Sequence, residues 1–279
     1  MSPDVLLEAK NLRVAFGGGR DIFLRRTPAF EALRGIDFRI ARGEAFAIVG
    51  ESGAGKSTAA RCVVGMQKPT EGTITFDGKP LDPGKDRAQR RAIQMVFQDP
   101  QGSLNPRMTV GAMLAELLRR NGLADSKVAA RRRSIELLEM VGLPESALDR
   151  RPRSFSGGQR QRIGIARALA VEPTFLIADE PVSALDVSIQ ASILILLKRL
   201  QRELGLTMLF ISHDLAVVKQ LCDRVAVMCE GEIVEEGHVD QVLMSPHEEF
   251  TKRLLAATTE LPGLDISMQE LERAERAEA

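Results

Sequence analysis

The sequence predicts an α/β domain interrupted by a helical insertion. Short apolar, β-branched runs read as strands, longer stretches carry helical periodicity, and their order is uneven. Strands come first, a mostly helical block follows from about residue 99 to 170, and strands then alternate with helices. That succession fits an α/β core with a helical layer inserted into the chain.

In chain order, strands are expected at 6–16, 30–40 and 45–49, the last of them Ala-Phe-Ala-Ile-Val and apolar throughout. A helix at 56–64 comes next, then strands at 73–76 and 93–97. The block holds helices at 110–120, 126–141 and 158–170; Gly142 caps the second, and Pro173 stops the chain after the third. Strands at 174–178, 207–211, 224–229 and 232–236 then surround helices at 187–205 and 215–221. From about His238 the pattern weakens into helical segments, and residues 266–279, rich in Glu, Arg and Ala, read as a frayed helix or disorder. No repeat at solenoid or propeller spacing is present.

With 44% hydrophobic and 27% charged residues, the chain is neither disordered nor collagen-like. Its 38 Lys and Arg balance 38 Asp and Glu, so it lacks the cationic excess that drives nucleic-acid binding, and no nucleic-acid partner is expected. Apolar runs such as 193–197 are far too short to span a bilayer, and the first residues lack a basic leader followed by an apolar stretch, so a cytoplasmic location is expected. Cys62, Cys222 and Cys229 lack metal-site spacing and read as free thiols.

Gly50-Glu51-Ser52-Gly53-Ala54-Gly55-Lys56-Ser57-Thr58 follows an apolar strand and opens a helix. The glycines let backbone N–H groups turn inward, and the helix start adds positive potential, a cradle for nucleotide phosphates. Lys56 reaches the β- and γ-oxygens, Ser57 ligates Mg²⁺, and Thr58 lines the cradle. A second apolar strand ends in Asp179 and Glu180. Asp179 is placed to hold the Mg²⁺ shell, and Glu180 to polarise a water as general base.

Between these halves lies Ser156-Gly157-Gly158-Gln159, preceded by Phe155. Here the chain resembles the ATP-binding subunit of ABC transporters, whose signature is this Ser-Gly-Gly-Gln, usually led by Leu. Physically, Ser156 and the N–H groups of Gly157 and Gly158 before a helix form a second anion cradle. The resemblance spans residues 6–237 and implies a P-loop NTPase core with a mixed sheet, a helical insertion subdomain and a short C-terminal extension. It divides the chain into a nucleotide-binding core over 1–98, a helical subdomain carrying the signature over 99–170, the core continued over 171–237, and an extension over 238–279. ATP and Mg²⁺ are the implied cofactors. Gln98 matches the glutamine that ligates Mg²⁺ or the attacking water, residues 183–186 match the loop that contacts the opposite subunit, and His213 matches the histidine on the γ-phosphate. The family stacks adenine on an aromatic near the end of the first strand; the chain contains no Trp or Tyr, so a Phe must serve. Phe16 matches best, with Phe23 and Phe30 as alternatives.

Residues 98–110 and 180–190 look like the oligopeptide/dipeptide importer branch, while Glu248, Glu249 and Phe250 depart from the branch's Pro-x-His-Pro-Tyr-Thr pattern. The resemblance implies an ATPase that powers import by ATP-driven closure of a head-to-tail dimer, with itself or a paralogous chain. Two integral permease subunits and, indirectly, a solute-binding protein complete the assembly at the cytoplasmic face of the inner membrane. The alternatives are a soluble ABC ATPase of DNA repair or chromosome organisation, which would carry long coiled coils or zinc modules, and a non-hydrolysing regulatory ATP-binder. The cluster of Arg150, Arg151, Arg153, Arg160 and Arg162 reads as a solvated face that also adds positive field for a γ-phosphate near the signature.

Overall fold

The computed structural model describes residues 4–17, 29–99, 102, 104–183 and 185–259. The elements run β1 (Val5–Gly17), β2 (Ala29–Ala41), β3 (Ala45–Val49), α1 (Lys56–Val63), β4 (Glu71–Phe76), β5 (Lys79–Pro80), α2 (Arg87–Ala92) and β6 (Ile93–Val96). There follow α3 (Val110–Arg120), α4 (Lys127–Met140), 3₁₀ turns at Glu145–Asp149 and Pro152–Ser154, α5 (Gly157–Leu169), β7 (Phe175–Asp179) and α6 (Val187–Leu204). The chain continues with β8 (Thr207–Ser212), α7 (Leu215–Leu221), β9 (Arg224–Cys229), β10 (Glu232–His238), α8 (Val239–Met244) and α9 (Glu249–Thr259). It divides into two compact units, residues 1–90 with 205–264 and residues 91–204 with 265–279.

In the first unit, β2-β1-β4-β5 form an antiparallel sheet, and β10-β9-β3-β8 run with β3 parallel to both β8 and β9. Every residue of β3 and β8 is buried, as expected of parallel strands covered on both faces. β1 alternates more and breaks register with β2 at four places, so its pairing is bulged rather than ideal. In the second unit β6 and β7 pair in parallel, and α5 packs on β6 and on α3, α4 and α6.

β3, β9, α3 and α7 fall at the expected bounds, and other elements differ by one to a few residues. The cause is local in each case. Ser126 is the N-cap of α4 rather than its first residue, its hydroxyl accepting the Ala129 N–H at 3.1 Å. At the other end Gly142, at φ 69°, closes a double-bonded C-terminal turn in which Leu143 N–H donates to the Leu138 carbonyl and Gly142 N–H to that of Glu139. α2 escapes a periodicity reading because Arg-Ala-Gln-Arg-Arg-Ala buries only Gln89; its signal is Asp86, whose carboxylate accepts the Ala88 and Gln89 N–H groups.

The weak helical pattern after His238 resolves into α8 and α9. Glu235 on β10 accepts the N–H groups of His247 and Glu248 at 2.8 and 3.3 Å, fastening the chain just before α9. Burial pushes the Glu235 carboxyl up, but the His247 N–H, the Thr251 hydroxyl and the Glu248 N–H outweigh it, so its pKa lies below the ordinary glutamate value. No helix among the described residues is long and apolar enough to cross a membrane. Residues 266–279 lie outside the described residues.

A group whose folded pKa is depressed stabilises the fold above its unfolded pKa and loses that contribution as pH falls through the folded one. Glu235→Ala is therefore expected to cost about 1 kcal/mol at neutral pH, a typical loss for a cap. The deficit should shrink once the pH drops below 4.5, the ordinary glutamate value. Paired melting curves of parent and variant at stepped pH check both parts.

Candidate functional site

In the first unit, the loop between β3 and α1 is shaped by three glycines at positive φ: Gly50 at 152°, Gly53 at 85° and Gly55 at 105°. Two of them are also sterically required. A Cβ on Gly50 would lie 2.1 Å from the Met228 carbonyl oxygen, and one on Gly55 would lie 2.4 Å from that of Ala32. Gly231, in the turn between β9 and β10, locks the arrangement: its N–H donates to the Ala54 carbonyl at 3.0 Å, and its own carbonyl accepts the Arg34 N–H at 2.9 Å.

Inside the loop Lys56 is only 4% exposed, and its ammonium donates to the Gly50 and Glu51 carbonyls at 2.8 Å each. A buried cation ringed by backbone dipoles is poised for an anion. Ser52 is exposed, while Ser57 and Thr58 are half-buried on the first turn of α1. Thus Gly50, Ser52, Gly53, Ala54, Gly55, Lys56, Ser57 and Thr58 form one loop and helix start. His213 follows β8 and is exposed; the next residue, Asp214, caps α7 by accepting the Ala216 and Val217 N–H groups.

Phe16 and Phe30 stand directly opposite each other at the end of the β1–β2 pair where the chain passes from one strand to the next. They are 43% and 63% exposed, unlike the buried Phe38, Phe46 and Phe76. Phe23 lies outside the described residues.

In the second unit, β7 delivers Asp179 buried and Glu180 half-buried. Glu180 holds φ at 45°, the left-handed region that a non-glycine residue enters at a cost of about 1–3 kcal/mol. Gln98, just past β6, donates its amide N–H to Glu180 Oε2 at 3.3 Å. Sequence order places these two residues 82 positions apart, and the parallel β6–β7 pairing brings them together.

Ser156 caps α5 reciprocally with Gln159: its hydroxyl accepts the Gln159 N–H, and the Gln159 side-chain oxygen accepts the Ser156 N–H. Gly157 and Gly158 are packing requirements as well. A Cβ on Gly157 would sit 3.1 Å from Leu185, and one on Gly158 would sit 2.4 Å from Ile189. In the 183–186 loop, Ala184 lies outside the described residues.

In the arginine cluster Arg150, Arg151 and Arg153 are exposed, as a solvated face requires, and Arg160 and Arg162 are half-buried, yet three of the five also have partners. Arg150 stacks over the Phe155 ring, Arg160 donates to the Phe155 carbonyl, and Arg162 donates to that of Val141. Sequence reasoning missed two glutamines. Gln161, fully buried, donates to the Phe97 carbonyl beside Gln98, and Gln190 donates to the Val182 and Leu185 carbonyls. The only signal for Gln161 was a polar residue on the inward face of a helix.

Residues 33–183 match a family model described as ABC transporter. The chain is 48% identical over 267 residues to the oligopeptide transport ATP-binding protein OppF of Escherichia coli (strain K12), covering 94% of this chain and 80% of that protein. It is also 48% identical to OppF of Bacillus subtilis (strain 168) over 256 residues, 90% and 82% of the two chains. Among solved structures it resembles the ATP-binding cassette MJ0796, determined as a dimer in a post-hydrolysis state bound to ADP and Pi. The TM-score is 0.73 at 33% identity, over 84% of this chain and 99% of that one.

Gly50→Ala is expected to lower unfolding stability by roughly 1–3 kcal/mol, because the new Cβ meets a backbone oxygen that cannot swing aside. Urea unfolding measures this. Gly53→Ala offers the comparison: its Cβ would meet nothing within 4 Å, so only the strain of its φ remains and the loss should be smaller.

Proposed function

The chain belongs to the ABC transporter family, as the ATP-hydrolysing subunit of a peptide importer, and from that premise we propose how its residues divide the work. The observation that carries the proposal is the 50–58 loop, whose glycine-dependent backbone and buried ammonium fit a polyphosphate. Lys56 exchanges its carbonyl partners for the β- and γ-phosphates of ATP, and the N–H groups of the loop hold the remaining oxygens. The adenine stacks on Phe16.

The oxygen donors Ser57, Asp179 and Gln98 suit Mg²⁺, which favours carboxylate, hydroxyl and amide oxygens together with phosphates. When bound, Mg²⁺ neutralises charge developing on the phosphates. Glu180 takes the proton from the attacking water, Gln98 orients that carboxylate through its amide, and His213 contacts the γ-phosphate.

Ser156, with the Gly157, Gly158 and Gln159 N–H groups, caps the γ-phosphate of an ATP held at Lys56 of a second subunit, itself or a paralogue. Two such sites make a head-to-tail dimer that closes on ATP and reopens after hydrolysis. The dimer, at the cytoplasmic face of the inner membrane, drives two integral permease subunits, and it is they that take solute from a binding protein. The longest described helix, α6, has 18 residues, so no long coiled-coil arm of a chromosome-organising ATPase is present among the described residues.

Glu180→Gln keeps the shape of the side chain but cannot accept a proton. Phosphate release should fall by about 10²–10⁴-fold while ATP still binds, and closed dimers should accumulate on a sizing column run with Mg-ATP and any paralogous partner required. Adding Ser156→Glu should abolish those dimers while each monomer still binds ATP. Parental turnover in Glu180→Gln removes the base assignment, and dimers that persist in the double variant remove the shared site. Separately, Phe16→Ala should weaken ATP by about 1–3 kcal/mol and leave binding of tripolyphosphate, which has no base, unchanged; equal loss for both ligands assigns Phe16 to the fold instead.

A further inference from the structure

The turn from Glu180 to Asp186 links the end of β7 to α6, and it has to hold a strained residue. Glu180 sits at φ 45°, and such conformations persist only where the surroundings over-determine them. Part of that comes from the turn itself. The Glu180 carbonyl accepts both the N–H and the hydroxyl of Ser183, at 3.3 and 3.2 Å, and the Leu185 N–H donates to the Val182 carbonyl at 3.1 Å.

The rest comes from outside it. Gln190, on the first turn of α6, donates its amide to the Val182 and Leu185 carbonyls, each at 3.0 Å. An amide NH₂ carries two hydrogens, and each finds one carbonyl. The backbone N–H of Gln190 also donates to the Asp186 carbonyl at 2.8 Å, so one residue is bonded to the turn at three points. Leu185 faces Gly157 and Ile189 faces Gly158, so the start of the signature helix packs against the pieces that Gln190 secures.

We infer that Gln190 is a positioning residue for hydrolysis: by giving both amide hydrogens to the Val182 and Leu185 carbonyls it fixes the turn that holds Glu180 in its strained, catalytically aimed conformation. The inference rests on the reading of Glu180 as general base. It assigns to a half-buried glutamine two duties, aiming the base and shaping the turn that lies against Gly157.

The test uses the full chain with any partner subunit it requires, Mg-ATP, and the variants Gln190→Met, Gln190→Glu and Gln190→Lys. Met fills the space with no donor, Glu copies the shape with acceptors only, and Lys restores a donor. Turnover should fall about 10- to 100-fold in Gln190→Met and Gln190→Glu, the scale of a misplaced catalytic group. Affinity for a fluorescent ATP analogue and the melting temperature should stay near parental, and Gln190→Lys should retain more turnover than Gln190→Glu. Parental turnover in Gln190→Met or Gln190→Glu overturns the inference. So does a loss of turnover that tracks a parallel loss of nucleotide affinity and melting temperature, which would mark a role in folding alone. Glu180→Gln run alongside separates the two readings: if it loses turnover while Gln190→Met does not, only the present inference fails, whereas parental turnover in Glu180→Gln removes the base assignment beneath it.

Discussion

Much of the first unit depends on one close approach, that of the Gly50 backbone to the Met228 carbonyl. The pairing of β3 with β9 matches Val49 with Val227, so the next residues, Gly50 and Met228, are brought side by side, and at position 50 only a residue without a Cβ fits. Given that contact, the chain must turn sharply out of β3. The turn directs carbonyls of Gly50 and Glu51 at Lys56 and starts α1 at once. The shape of the 50–58 loop is thus a consequence of strand register, fixed in part by a carbonyl on the neighbouring strand β9.

The second unit solves a different problem, that of presenting an acid on a short turn. β7 ends in a buried Asp179, and the chain must leave the sheet within a residue to let Glu180 reach outward. The left-handed conformation does this, and its cost is offset by hydrogen bonds gathered from Ser183. A glycine at 158 then lets α5 come close to Ile189 on α6, where a Cβ would lie 2.4 Å from that side chain.

Much of this was legible in the sequence because the signals were local. Continuous apolar runs marked β3 and β9, Gly142 marked the end of α4, and the spacing of Gly50, Gly55 and Lys56 marked the glycine turn that opens α1. What escaped was long-range or featureless. α2 has no apolar stripe, β5 is two residues long, and the bond from Glu235 to the backbone at 247 and 248 spans 12 and 13 positions with no pattern between. The arginines around Phe155 were legible only in part: charge in a sequence suggests solvent, and Arg150 is indeed exposed, whereas its stacking on the Phe155 ring and the bond from Arg160 to the Phe155 carbonyl leave no trace in composition. Cys62 shows the converse. Its burial raises the thiol pKa to about 12, so it behaves as a small apolar side chain.

Gly231 joins three pieces of the first unit. Its amide is tied to the 50–58 loop and its carbonyl to β2, while covalently it belongs to the β9–β10 hairpin. Because both bonds use backbone atoms, the link between the loop and the antiparallel sheet is independent of side-chain identity at Ala54 and Arg34: substitutions at those two positions leave the donor and the acceptor in place, and only a change that displaces the hairpin turn itself removes both bonds together.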